Sequence, residues 1–314
     1  MACITNMPHS HRVGISASGA FEAVTPLTIV RALAIVSNSH VWTPEYVEDD
    51  GQRGNPWLSS SGVVYNRGVG SGPIVIRPRA DELRHILPLL MGGTWDDDVL
   101  EPGVICDFFR MQHDKSIAVF DYRDCKTNSW TLTSSSSQPI LQLEWNIESC
   151  KMSRTNAGTF TSGLDLSVQQ PFVHTSSTLV IDGTTYVCDD VSIAGNNNLL
   201  TDIFYNKTTR TDLAMGSQGF TFTHTLPFDK AGDLDLLDLG ATSVAASIIY
   251  TANSGAFSLK FDFPALHAPV PVPVTPAGNS PVRYEGIQWT ARTTVDEADE
   301  VIKPIKVTLV DAIT

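Results

Sequence analysis

The chain has 314 residues, enough for one large or two ordinary domains, and its 42% apolar content argues against a mostly disordered protein. It carries 21 basic and 34 acidic residues, a net charge of −13, which argues against nucleic-acid binding through phosphate contacts because such binding depends on Lys and Arg. A polar start and the lack of a long apolar run predict no signal peptide and no membrane span, and hence a cytoplasmic product.

Residues 1–24 show no steady periodicity and are interpreted as an N-terminal arm. The first strand is predicted in RALAIVSN, with Leu33 and Ile35 on one face. From Ser39 to Ser61, prolines, glycines and acidic residues predict a long loop, and a loop of this length usually has a function. We expect its aromatic residues either to contact another protein or to fold back onto their own domain. The residues in question are Trp42, Tyr46 and Trp57.

Two short β segments, Gly62 to Asn66 and Pro73 to Pro78, are predicted around a glycine-rich turn, GVGSG. The clearest helix follows in RADELRHILPLLMGG, where apolar residues recur at helical spacing and Gly92-Gly93 ends the pattern. Pro88 lies inside this pattern and predicts a short or kinked helix, because proline removes a backbone hydrogen bond.

The clearest strand is ILQLEWNIES, in which Leu141, Leu143, Trp145 and Ile147 alternate with polar residues. One face is predicted to be core, and the other directs Glu144 and Glu148 into solvent or into a lumen. Residues 152–177 are rich in Ser, Thr and Gly and are interpreted as a connection.

The second half of the chain repeats the order of the first. A β-hairpin is predicted at 178–195 with its turn at Asp182-Gly183, followed by an irregular segment, a strand, a candidate helix in LPFDKAGDLDLLDLG and further strands. Phe257, Leu259, Phe261 and Phe263 repeat the alternation seen in the earlier strand. The sequence therefore predicts an internal duplication.

No group of residues points to catalysis or to a cofactor. The eight histidines lack metal-ligand spacing, and the five scattered cysteines, without a C-x-x-C pair, indicate free thiols and no zinc site. The run APVPVPVTP predicts an extended arm that lies along a neighbouring subunit or serves as a stiff linker; its candidate contact residues are Pro269, Val270, Pro271, Val272 and Pro273.

In order, these segments resemble the major tail tube proteins of long-tailed, siphovirus-type bacteriophages. The resemblance covers about residues 25 to 311 and is carried by IVIRPRADELRHILPLLMGG, DCKTNSWTLTSSSSQPILQLEWNIE, VSIAGNNNL, MGSQGFTFTHTLPF and KPIKVTLVD. It implies a mainly β fold with two tandem tail-tube-type sandwich or barrel domains, each with a short flanking helix. The expected division is an arm at 1–24, a first domain at 25–151, a linker at 152–177 and a second domain at 178–314.

The resemblance also implies a structural virion protein, not an enzyme, whose rings stack into a tube for DNA ejection. Three duplicated chains would form a pseudo-six-fold ring, and a homohexamer is the other arrangement. The expected partners are other copies of the chain, a tape measure protein, and tail terminator and distal tail proteins, while double-stranded DNA passes without specific binding. A receptor- or carbohydrate-binding β-sandwich of a phage tail or baseplate is the alternative function.

Two groups of residues receive roles from this resemblance. An acidic lumen repels DNA phosphates, and its candidate lining residues are Glu144, Glu148 and Asp262. The alternative interpretation of these three carboxylates is that they are solubilising charges on the outer surface. The long loop becomes the ring-stacking contact, with the candidates Trp42, Glu45, Tyr46, Glu48, Asp49, Asp50 and Trp57.

Overall fold

The computed structural model describes residues 12–22, 31–48, 63–115, 118–156, 167, 169–227, 243–267, 283–295 and 299–311. Over these residues the fold is mainly β, as expected, with a single α-helix, α1 Ala80–Met91. Seventeen strands belong to one antiparallel sheet, and two short strands form a separate pair.

Nine of the described strands lie in the first half of the chain and ten in the second. The first half contains β1 Arg12–Ala17, β2 Arg31–Leu33, β3 Ile35–Asn38, β4 Val41–Glu48, β5 Val63–Ile76, β6 Val99–Leu100, β7 Phe109–Asp114, β8 Ala118–Ser135 and β9 Gln142–Asn156. The second contains β10 Ser177–Ile181, β11 Thr184–Tyr186, β12 Asp190–Asn196, β13 Gly219–Pro227, β14 Val244–Ala252, β15 Phe257–His267, β16 Arg283–Ala291, β17 Thr294–Val295, β18 Val301–Ile302 and β19 Lys306–Val310.

Strand pairing in the first half forms a closed circuit. β1 pairs with β2 and β7, β7 with β8, β8 with β9, β9 with β5, and β5 with β3. Only Ala34 separates β2 from β3, so the circuit returns to its starting strand. Closure leaves few free strand edges among these elements.

The second half forms a matching circuit. β10 pairs with β11 and β14, β14 with β15, β15 with β16, β16 with β13, and β13 with β12, which follows β11 after three residues. β12 also pairs with the second part of β8, from Asp190↔Ser135 to Asn196↔Ser129. The two circuits therefore share one continuous sheet.

The predicted helix is confirmed, and Trp95 compensates for its internal proline. Pro88 has no N–H to donate to the carbonyl of Arg84, and the indole Nε1 of Trp95 donates to that oxygen at 2.7 Å instead. The Arg84 guanidinium binds Asp311 through both carboxylate oxygens, at 2.6 and 2.9 Å. Because α1 contacts β8, β15 and β19, it links elements from both halves.

One hydrophobic core cluster extends from Val13 to Leu309 and includes residues of both circuits. Trp130, Trp145 and Trp289 are among the largest of its fully buried side chains. A smaller cluster holds Phe108, Cys150, Leu199 and Leu213 where the segment between β12 and β13 meets the first half.

The central strand and the turn of the predicted hairpin agree with the structure. Asp182 and Gly183 both have positive φ angles, 48° and 74°, as a tight two-residue turn between β10 and β11 requires. In the region of β9, Leu141, Leu143, Trp145 and Ile147 are all buried. The expected hairpin partner, however, is only the short β11, and β12 pairs with β8 and β13.

Three sequence interpretations differ from the structure. Arg12–Ala17 is not an arm, because β1 pairs along its whole length with β7 and buries Val13 and Ile15. Val41–Glu48 is not a loop but a strand, and the supposed GVGSG turn continues through the 14-residue β5. The glycines of β5 serve close packing instead, since Trp42 and Ser149 occupy the space where Cβ atoms of Gly68 and Gly70 would lie.

Two further expectations concern boundaries. β9 continues without a break to Asn156, so the expected start of the linker at 152 falls inside a strand. The candidate second helix, in residues 226–240, lies almost entirely outside the described residues.

Candidate functional site

One polar surface extends across both halves of the chain. The outward side chains of β9, β8, β12, β13 and β16 form what we call the hydroxyl face, opposite core residues such as Trp130, Ile193 and Phe222. Its members are Ser129, Thr131, Thr133, Ser135, Gln142, Glu144, Asn146, Asp190, Ser192, Ala194, Asn196, Thr221, Thr223, Gln288 and Thr290.

The register aligns these side chains into rows across the strands. In the central row, Thr290 lies opposite Thr221, Thr221 opposite Ala194, Ala194 opposite Thr131, and Thr131 opposite Glu144. Glu144 is exposed, as its predicted role requires. Among these fifteen described side chains, carboxylates occur at Glu144 and Asp190 only, so this part of the surface is polar and nearly uncharged.

Glu148 lies on the same side of β9 as Glu144 but is covered by the segment that joins β12 to β13. It is 8% exposed, and its carboxylate accepts a hydrogen bond from Arg210 Nη1 at 2.7 Å. Arg210, 5% exposed, lies within 3.4 Å of the backbone carbonyl oxygens of Gly70 and Ser149. Burial raises the pKa of Glu148, and the charge and hydrogen bond of Arg210 oppose this rise. Glu148 therefore anchors this segment and is not an exposed lining residue of the isolated chain.

Asp262 lies on β15, which is not one of the five strands of the hydroxyl face. It is half-buried, forms an ion pair with Lys260 at 2.7 Å, and stands opposite Lys306 on β19. The structure thus separates the three predicted lining carboxylates: one is exposed on the hydroxyl face, one is buried with an arginine, and one is paired with a lysine.

The predicted stacking loop is in part a two-stranded ribbon. We call Val41–Glu48 together with residues 63–71 of β5 the ribbon. Trp42 is half-buried, whereas Glu45, Tyr46 and Glu48 are exposed, and Glu45 forms an ion pair with Arg67. The other candidates lie outside the described residues; they are Asp49, Asp50 and Trp57 of the loop, and Pro269, Val270, Pro271, Val272 and Pro273 of the arm.

The segment 197–218 has no regular structure but is firmly anchored to the first half. Asn197 Nδ2 donates to the carbonyl oxygens of Leu90 and Thr127, both at 2.9 Å, and Lys126 Nζ donates to Leu213 O at 2.9 Å. Arg67 forms an ion pair with Asp202 at 2.7 Å and lies over the ring of Phe204. Sequence patterns did not reveal this anchoring, because the segment has no periodicity and its partners are distant in the chain.

Several histidines lie in the core. His40 packs edge-on against Tyr122, with ring centroids 4.4 Å apart, and lies 5.7 Å from His113. Burial lowers the pKa of His40 to about 3 and that of His224 to about 4. Trp289 Nε1 donates to His224 Nε2 at 2.9 Å, so His224 accepts this bond as a neutral imidazole.

The described residues contain neither a metal-binding cluster nor a groove lined by titratable side chains. No group of three or more His, Cys, Asp or Glu residues there is placed to hold a metal ion. A groove of about 460 Å³ is lined by Gln170, Pro171, Val173, Ser176, Thr251, Ala252, Ser254 and Gly255, none of them titratable. Among the described helices, none has the length and apolar character needed to cross a bilayer.

Comparison with known families identifies the chain. The family model described as phage tail tube protein matches residues 57–304, which include the ribbon's second strand, α1, the hydroxyl face and the second circuit. The chain belongs to the phage tail tube protein family. No curated protein matches it.

Membership in this family makes the chain a structural tail tube protein and a virion component that self-assembles into a tube. It also indicates a non-enzymatic role.

Proposed function

We propose that three copies of this tail tube protein close into a ring with pseudo-six-fold symmetry, and that stacked rings form the channel through which phage DNA is ejected. The hydroxyl face lines the bore. The observation that carries this proposal is the β8–β12 pairing, which continues one sheet from the first circuit into the second.

A tandem repeat of one tail-tube-type unit is supported by the strand pairings. Each antiparallel pairing of the first circuit has a counterpart in the second when β1, β2, β3, β5, β7, β8 and β9 are matched with β10, β11, β12, β13, β14, β15 and β16. Trp145 and Trp289 then occupy equivalent positions, because they lie opposite Ile74 and Phe222. The α1 helix follows β5, and the candidate second helix follows β13 in sequence.

A ring of three chains follows from this repeat. Within one chain, β8 of the first unit pairs with β12 of the second. If the strand that corresponds to β8 in the second unit pairs in the same way with the strand that corresponds to β12 in the first unit of the next copy, the chains join edge to edge. Three chains then supply six units, and the strand edges at each chain's ends become paired.

The bore is proposed to repel DNA weakly and to offer no site that binds it. Hydroxyl and amide groups offer no net charge to phosphates, while exposed carboxylates such as Glu144 oppose adhesion of the polyanion. The other two predicted lining carboxylates fit this bore less well, because Glu148 is buried beneath Arg210 and Asp262, paired with Lys260, lies on a strand outside the hydroxyl face. The loop that follows the ribbon, with Asp49, Asp50 and Trp57, is proposed to contact adjacent rings, and the proline–valine arm a neighbouring subunit.

Further partners follow from the same role. We propose a siphovirus-type tail in which a tape measure protein occupies the bore during assembly, and in which terminator and distal tail proteins cap the two ends.

Electron microscopy of the purified full chain tests the assembly. We expect rings or tubes with an open bore, and a protein that stays monomeric at high concentration would contradict the proposal. In phage particles, Glu144→Lys should leave tubes intact but slow DNA ejection, because each ring gains cations that bind phosphates. Glu101→Lys, an exposed change outside the hydroxyl face, is the matched control and should eject normally.

A further inference from the structure

The ribbon exposes large apolar side chains in the isolated chain, although its base, at Arg67 and Gly68, contacts the segment 197–218. Val47 lies opposite Val64, Tyr46 opposite Tyr65, and the exposures of Val41, Tyr46, Val47, Val63 and Val64 range from 46% to 60%. Since successive residues of a strand point to opposite faces, both faces of the ribbon expose large apolar side chains. A two-stranded ribbon of this kind is marginally stable alone, and such exposure marks a protein contact surface.

The segment 197–218 of the same chain indicates what covers the ribbon. When the strands of the two circuits are matched in order, β12 and β13 correspond to β3 and β5. The segment 197–218, which joins β12 to β13, therefore corresponds to the ribbon and its loop, which join β3 to the core part of β5. It packs on the first unit through the Arg210–Glu148 ion pair, the Lys126–Leu213 hydrogen bond and the Leu199–Leu213 apolar cluster. The segment 197–218 packs on the unit that comes before its own. No unit comes before the ribbon's unit in the same chain, so the equivalent surface is the second unit of a neighbouring copy.

Charges of opposite sign lie at or next to the two equivalent positions. With Trp145 equivalent to Trp289, Glu148 is equivalent to Arg292, which is exposed. Arg210 stands twelve residues before Phe222, and the residue twelve before Ile74 is Gly62, which carries no charge; its neighbour Val63 lies opposite Glu48, which supplies the acidic group on the ribbon. The arginine-to-glutamate contact within the chain thus becomes a contact between an acidic ribbon and a basic second unit, with the signs reversed.

We propose that the ribbon docks on the second unit of a neighbouring copy in the same ring, with Glu48 beside Arg292 and the exposed valines and tyrosines covering the outer surface near β13 and β16. This inference rests on the proposed ring and specifies its lateral contact. The loop after Glu48 is left for contact with the next ring.

A photo-crosslinking amino acid at position 64 of the full chain tests the contact directly. We expect intermolecular crosslinks to residues 219–227 or 283–311 of another copy, and a ladder that ends at three chains. Crosslinks confined to the first unit of another copy, or formed only between stacked rings, would overturn the inference.

A charge exchange gives an independent readout. Glu48→Lys and Arg292→Glu should each lower ring yield about tenfold at a fixed protein concentration, and the double variant should recover most of the yield. Glu101→Lys is the control and should assemble normally. Rings that form equally well in every variant would contradict the docking while leaving the proposed ring intact, whereas a wild-type chain that forms no rings would contradict the proposed function itself.

Discussion

At the residue scale, three buried histidines have ring nitrogens without a hydrogen-bonding partner among the described residues. Neither ring nitrogen of His40 meets a hydrogen-bonding partner among the described residues, and His113 Nε2 and His224 Nδ1 share this property. An imidazole that lacks partners is tolerated in a core only when neutral, because a buried charge is costly.

Acidification should therefore destabilise the chain. The folded-state pKa values of His40 and His224 lie at about 3 and about 4, and that of His113 is also lowered, so between about pH 6.5 and pH 4 the unfolded chain binds protons that the folded chain does not. The stabilisation is complete above pH 6.5 and is lost as the pH falls, by up to about 1.4 kcal/mol per pH unit for each histidine.

Urea unfolding of dilute, unassembled protein at pH 7, 6 and 5 measures this loss. His40→Phe keeps an aromatic ring against Tyr122 and removes one titrating group. The free energy of unfolding of this variant should therefore fall less steeply with decreasing pH, with a slope smaller by the equivalent of about one proton. An identical pH dependence for wild type and variant would show that His40 does not carry the effect.

The Glu148–Arg210 pair gives a second prediction at this scale. Glu148→Gln should lower the free energy of unfolding by about 3 kcal/mol, because it leaves the buried guanidinium of Arg210 without its counter-charge. The double variant Glu148→Leu with Arg210→Met should recover most of this loss. Chemical denaturation measures both, and a loss in the double variant as large as in Glu148→Gln would refute the explanation.

At the scale of elements, α1 shows how a helix can hold an internal proline. Trp95→Phe removes the donor to Arg84 O and should cost about 1 to 2 kcal/mol in the wild-type chain. In a Pro88→Ala background the restored N–H can donate to that carbonyl, so the same change should cost less. A double-mutant cycle of unfolding free energies measures the difference, and equal costs in both backgrounds would contradict the compensation.

Local patterns predicted the elements whose structure depends on neighbours in sequence. Helical spacing indicated α1, alternation indicated the buried side of β9, and Asp182-Gly183 indicated the turn between β10 and β11. The same reasoning assigned Val41–Glu48 to a loop, because its exposed, proline-containing sequence has no buried face and its strand character comes from pairing with β5.

The candidate site was predictable only in part for the same reason. Alternation placed Glu144 and Glu148 on one side of β9, and the structure exposes Glu144 there. It could not indicate that Arg210, 62 residues away, covers Glu148. The hydroxyl face was not predictable from local sequence patterns either, because its strands become neighbours only through the β8–β12 pairing between distant parts of the chain.

At the scale of the whole molecule, the two circuits share one sheet, one core cluster and the α1 helix. Shared burial makes cooperative unfolding of both halves the expected behaviour. It also fixes how the two circuits face each other, so that the hydroxyl face crosses from one to the other without a break. The proposed ring of three chains requires such a fixed arrangement of the two circuits.

Reconstruction of assembled tubes by cryo-electron microscopy tests the central claim most directly, because it counts chains per ring and shows which surface meets the bore. We predict three chains per ring with pseudo-six-fold symmetry and the rows around Thr131, Thr221 and Glu144 facing inward. Six chains per ring, or a bore lined by another surface with these rows turned outward, would contradict it.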